Sequence, residues 1–124
     1  MAGFIKIEAD RVETTALNTK VNKKVFDEFK ICCKTQGYPL NVVLETFMNQ
    51  YANHRFDLSE EEILRWKGDV EEVDTLNTTF NKEIYSNFKY RCKNDGYFLK
   101  HVVIAFMKRY TERNLVLEFR DVTR

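Results

Sequence analysis

The chain has little of what an enzyme, a membrane protein or a disulfide-braced domain needs. Of its 124 residues four are glycine, one is proline, two are histidine and three are cysteine. No run of about 18 apolar residues exists, so no membrane-spanning helix is expected. The start, Met1-Ala2-Gly3-Phe4-Ile5-Lys6, lacks the apolar core of a signal peptide, and a cytoplasmic protein is expected. An odd cysteine count, with Cys32 and Cys33 adjacent, argues against a disulfide framework. No second Cys or His stands at ligand spacing, so neither a metal nor another cofactor is expected. His54 and His101 have no nucleophile or acid partner close in sequence, and no phosphate-binding glycine motif is present. Catalysis is therefore not expected.

What is present is a repeat. Hydrophobic residues make up 44% and aromatics 14%, enough for a globular chain of one domain. Residues 17–58 align with residues 76–117 without a gap, and 17 of those 42 positions are identical. Each copy opens with a short alternating segment, Leu17-Asn18-Thr19-Lys20-Val21 and Leu76-Asn77-Thr78-Thr79-Phe80. Alternation places Leu17, Thr19 and Val21 on one face and Ala16, Asn18 and Lys20 on the other. In the second copy Leu76, Thr78 and Phe80 oppose Thr75, Asn77 and Thr79. A lone strand cannot satisfy its own backbone groups, so the two segments are expected to pair. Asn22 and Asn81 follow as helix N-caps.

The first helix of each copy carries one apolar face: Val25, Phe26, Phe29 and Cys33, then Ile84, Tyr85, Phe88 and Cys92. Gly37 and Gly96 end these helices, and Pro39 suits the first turn of the next helix. The second helices carry Leu40, Val43, Leu44, Phe47, Met48 and Tyr51, matched by Leu99, Val102, Val103, Phe106, Met107 and Tyr110. So wide a stripe suggests that the second helices pack on each other and on both first helices.

The copies span residues 15–56 and 75–116, with a connector over 57–74. Charge is divided among them. The connector is net −6, the first copy +3 and the second +5, in a chain of net +1. Such a field can steer one face to an anion while another repels it. Ser59-Glu60-Glu61-Glu62 reads as a capping box opening a short helix near 60–67, with Gly68 turning the chain after it. Trp66 reads as a core cap, or else a binding hot spot. Alternation at 4–8 and 115–119 suggests either further strands or tails folded over the core.

Strand, helix, glycine turn and helix, doubled, with a polar outward strand face, resembles the ribbon-helix-helix superfamily of Arc- and MetJ-like DNA-binding proteins. The tandem form resembles the TraY type of plasmid conjugation relaxosomes. The resemblance covers most of the chain. It implies a mainly α fold with a short antiparallel β-ribbon, a tandem ribbon-helix-helix pseudo-dimer in which residues 1–124 form one intertwined domain. In that family the ribbon enters the major groove of double-stranded DNA, which is wide enough for two strands and displays a distinct donor and acceptor pattern at each base pair. The resemblance makes Ala16, Asn18, Lys20, Thr75, Asn77 and Thr79 the base-reading residues. Asn suits adenine, Lys suits guanine, and Thr suits a hydrogen bond or a thymine methyl. Phosphate contacts fall to Lys23, Lys82, Asn41 and Lys100. One departure is clear: in the family, small polar residues at the start of the second helix present N–H groups to phosphate. Here those positions read Pro39-Leu40-Asn41 and Phe98-Leu99-Lys100, and Pro39 has no N–H.

The expected role is a relaxosome accessory factor or transcriptional repressor. A relaxase or other protein is a further partner for the acidic connector, and no membrane is expected. The expected assembly is a monomeric pseudo-dimer, or else one in which the repeats swap between chains, with additional copies lining up on DNA. The competing reading keeps the fold and makes it a protein-binding adaptor or inhibitor.

Overall fold

The structure, a computed structural model, describes residues 13–112; the alternating segments at 4–8 and 115–119 lie outside the described residues. The fold is mainly helical with one two-stranded antiparallel sheet. In chain order the elements are β1 (Thr14–Asn22), α1 (Lys23–Gln36), α2 (Leu40–Ala52), α3 (Glu60–Leu64), β2 (Val73–Asn81), α4 (Lys82–Asn94) and α5 (Leu99–Glu112). None of the described helices is long and apolar enough to cross a membrane.

The strands pair as alternation requires. Leu17, Val21, Leu76 and Phe80 are buried on the inner face. Asn18 lies opposite Asn77, Ala16 opposite Thr79, and Lys20 opposite Thr75. Moving each residue by the repeat offset exchanges these pairs among themselves. Each strand is nine residues long, longer than the five-residue segments, because alternation continues outward to Thr14 and Val73.

Helix ends follow from single residues. The side-chain oxygens of Asn22 and Asn81 accept the N–H of Val25 and Ile84, each at 3.0 Å. Gly37 and Gly96 take φ of 81° and 82°, and the Tyr after each donates its N–H to the carbonyl of Cys33 or Cys92. An added Cβ would meet no atom within 4 Å at either glycine; backbone conformation alone demands glycine there. Pro39 is the N-cap of α2 rather than its first residue, with φ −61° and ψ 138°. Its carbonyl accepts the N–H groups of Val42 and Val43. The missing N–H thus falls just outside the helix.

Packing interleaves the copies. The first helix of each copy lies against the second helix of the other, α1 on α5 and α4 on α2. Phe47 and Phe106, at equivalent repeat positions, stack face to face with centroids 4.0 Å apart and planes at 12°. Phe56 meets both rings edge-on, and four further ring contacts come in matched pairs. Phe29 meets Phe106 and Tyr110, as Phe88 meets Phe47 and Tyr51. Such ring pairs add about 0.5–1.5 kcal/mol each beyond area burial. The second helices therefore meet at this stack, and each otherwise packs mainly on the opposite copy's first helix.

The connector docks on one side. Ser59 and Glu62 form the expected capping box, but the helix stops at Leu64 and turns carry the chain through Gly68. Ile63 and Trp66 are buried where α3 packs on α5, so Trp66 serves as a core cap. Arg109 donates to both carboxylate oxygens of Glu62 and, at 2.9 Å, to the carbonyl of Asp57. Its hydrogen bonds hold the Glu62 carboxyl well below the usual carboxylate range, at about 2.

Candidate nucleic-acid interface

The ribbon's outer face is a polar surface three cross-strand pairs long. Ala16, Asn18, Lys20, Thr75, Asn77 and Thr79 are all exposed on it, and register brings them together as Ala16–Thr79, Asn18–Asn77 and Lys20–Thr75. The two asparagines occupy its centre. Cross-strand neighbours stand about 4.5–5.5 Å apart at Cβ, so the two amides together present donors and acceptors over a span comparable to adjacent base pairs. No carboxylate stands on this outward face, whose one charge is Lys20. Thr14 and Val73 extend the face at its ends. The same alternation predicts them, but they lie before the segments that the repeat picks out.

The phosphate candidates flank the ribbon. Lys23 and Lys82 open α1 and α4, so they sit at opposite ends, where Asn22 pairs with Val73 and Thr14 with Asn81. Asn41 and Lys100 are exposed second residues of α2 and α5. With Pro39 as N-cap, the N–H groups of Leu40 and Asn41 remain in the first turn, where intrahelical geometry gives them no partner. The departure noted at Pro39 therefore does not remove the helix-terminal donors.

Both ends also carry acids that compete for these cations. Lys23 Nζ lies 2.7 Å from Asp27 Oδ2; that hydrogen bond raises the Lys23 pKa and lowers that of Asp27. Lys82 Nζ lies 3.3 Å from Glu13 Oε2, and Glu45 Oε1 accepts the Asn81 N–H at 2.6 Å. Exposed pairs of this kind are worth about 0–1 kcal/mol and exchange readily for a phosphate. The connector's acids are more consequential. Asn22 Nδ2 donates to Asp69 Oδ2 at 3.0 Å and to Glu71 Oε1 at 2.9 Å, and the Glu72 carbonyl accepts the Lys23 N–H at 2.9 Å. The sequence suggested separate basic and acidic faces. Instead the acidic loop is fastened at one end of the ribbon, beside Lys23, because Asn22 spends its amide there.

Two of the three thiols are buried. Burial pushes the thiols of Cys33 and Cys92 up to about 12, and burial with the neighbouring Lys100 and Lys67 lowers the His101 pKa. Arg91 is an unforeseen residue. It lies over the Tyr51 ring at 3.9 Å, donates to the Tyr51 carbonyl, and reaches Asp57 at 2.6 Å. Its repeat equivalent is Cys32, so the repeat pattern gave no signal for it.

Comparison with known proteins supplies no identity: no family model, no curated protein and no solved structure matches the chain.

Proposed function

We propose that residues 15–56 and 75–116 are the halves of a tandem ribbon-helix-helix pseudo-dimer, and that the chain binds double-stranded DNA sequence-specifically without catalysis. The observation that carries this reading is the outward ribbon face, with Asn18 opposite Asn77 at the centre of an exposed, acid-free stripe. Asparagine is disfavoured in strands. Two of them, repeated and turned to solvent, are better explained by what they touch than by the strands they weaken. The ribbon lies in the major groove, where Asn18 and Asn77 read adenines, Lys20 reads a guanine, and Thr75 and Thr79 contact neighbouring bases. Ala16 and Thr79 differ, as do Lys20 and Thr75, so the two half-sites read are imperfect copies. Lys23, Lys82, Asn41 and Lys100 bind phosphates and set the register. The role is that of a relaxosome accessory factor in plasmid conjugation or a transcriptional repressor, with the acidic connector available to a relaxase.

The test is binding to a random duplex pool followed by footprinting of the selected site. The double variant Asn18→Ala/Asn77→Ala is expected to lose preference for that site, at about 1–3 kcal/mol for each adenine contact, while keeping weak, salt-dependent binding. No retardation of any duplex by the wild-type chain at low salt would reject the reading, and so would unchanged selectivity in the double variant.

The second reading, a protein-binding adaptor or inhibitor, draws support from the acidic loop beside Lys23. Neutralising Glu71 and Glu72 separates the two. Tighter DNA binding follows if the loop merely screens phosphate, and unchanged DNA binding with loss of a protein partner follows if the loop is itself the interface.

A further inference from the structure

On the outer side of α4, Lys89, Tyr90 and Lys93 join Tyr97, Phe98 and Leu99 of the following turn and helix start around an open groove of about 630 Å³. The Tyr90 and Phe98 side chains are 72% and 67% exposed. No carboxylate lines it. Two uncovered rings between two lysines make a surface for an acidic segment with an apolar centre.

The most exposed large apolar residue among the described residues, Val70, sits in such a segment. Gly68 turns the backbone at φ 79°, and Asp69-Val70-Glu71-Glu72 follows, with Val70 95% exposed. Asp69 and Glu71 are pinned to Asn22, so the loop is held in place and not free to fold back over its own Val70. The same loop already brings Glu71 and Glu72 to a depression on the outer side of α1 that Ile31 also lines. Ile31 is the repeat equivalent of Tyr90.

The loop is fastened at the end of the ribbon opposite the start of α4. It is fastened where Asn22 pairs with Val73, whereas α4 leaves the ribbon where Thr14 pairs with Asn81. Nine residues of strand separate these ends by roughly 27 Å. We propose that the groove on α4 receives the Asp69–Glu72 loop of a second copy, joining molecules head to tail. Groove and loop are different surfaces, so each contact leaves one free groove and one free loop, and the assembly grows until a rotation brings the free ends together. The contact is small and charge-assisted, hence weak and salt-sensitive. It leaves the outward ribbon face uncovered and does not depend on the DNA reading.

Sedimentation of the full chain without nucleic acid tests this. At low salt the average mass is expected to rise above 14.8 kDa with concentration, and to return towards it at high salt. Lys89→Glu with Lys93→Glu is expected to lower the association constant at least about tenfold, and Val70→Lys with Glu72→Lys likewise. An equimolar mixture of these two variants is expected to associate again, because the unaltered groove of the loop variant then meets the unaltered loop of the groove variant. Circular dichroism confirms that each variant is folded. A monomer at every concentration in low salt overturns the proposal, as does wild-type association by both folded variants or a mixture that stays monomeric.

Discussion

The two copies share a core and differ in what covers it. In the first copy the residues of α2 that face away from the ring stack are Val42 and Glu45, both half-buried, and Thr46, which is buried; in the second their equivalents on α5, His101, Ile104 and Ala105, are all buried. Ile63 and Trp66 of the connector account for the difference. They lie on α5, where Glu62 binds Arg109, and the α2 equivalent of Arg109 is Gln50. The first helices differ in the opposite sense: Val25 and Phe26 are buried, while Ile84 and Tyr85 are half-buried. A single chain has two repeats but only one connector between them, so the connector can lie on only one side of an otherwise two-fold arrangement.

The largest expected effect tests the shared part. Phe47→Ala and Phe106→Ala remove equivalent rings from one stack, and each should destabilise the fold by about 3–5 kcal/mol. Because the rings touch, the double variant should lose less than the sum. Denaturant midpoints check both points, and single-variant losses that differ widely would show that the two halves of the core are not equivalent. Ile63→Ala tests the unshared part. It should cost about 2–4 kcal/mol, with the earliest loss of amide-exchange protection on α5 and little change on α2. Equal loss on both helices would mean that the connector supports the whole core and not one copy.

Much of this was legible in the sequence because repetition supplies its own control. Alternation, the Asn caps, the two glycines and the apolar stripes each occur twice at one spacing, and a pattern seen twice identifies strand, helix and turn more firmly than one seen once. The exposed ribbon residues follow from the same parity argument. What stayed hidden is what occurs only once. Arg91 on Tyr51, Arg109 on Glu62 and Glu45 on the Asn81 N–H have no repeat counterpart, and each joins residues 36 to 47 positions apart, beyond any local pattern. The acidic loop was readable as composition but not as place, because its position depends on the Asn22 amide. That amide looked like part of a cap and nothing more.

The smallest expected effect isolates that amide. Serine accepts the N–H of a helix's first turn about as well as asparagine but cannot donate from an amide. Asn81→Ser should therefore be nearly silent, since the Asn81 side chain is needed as an acceptor from Ile84. Asn22→Ser keeps the cap on α1 and gives up both bonds to Asp69 and Glu71. Hydrogen bonds to charged groups contribute about 1.5–3 kcal/mol when well shielded. These carboxylates reach solvent and regain much of that from water, so about 1 kcal/mol is expected at position 22. Thermal melts of the two single variants measure the difference. Equal melting temperatures would mean that the loop's place beside Lys23 is set by the strand pairing alone, through the Glu72 carbonyl and the Lys23 N–H, and that the amide merely follows it.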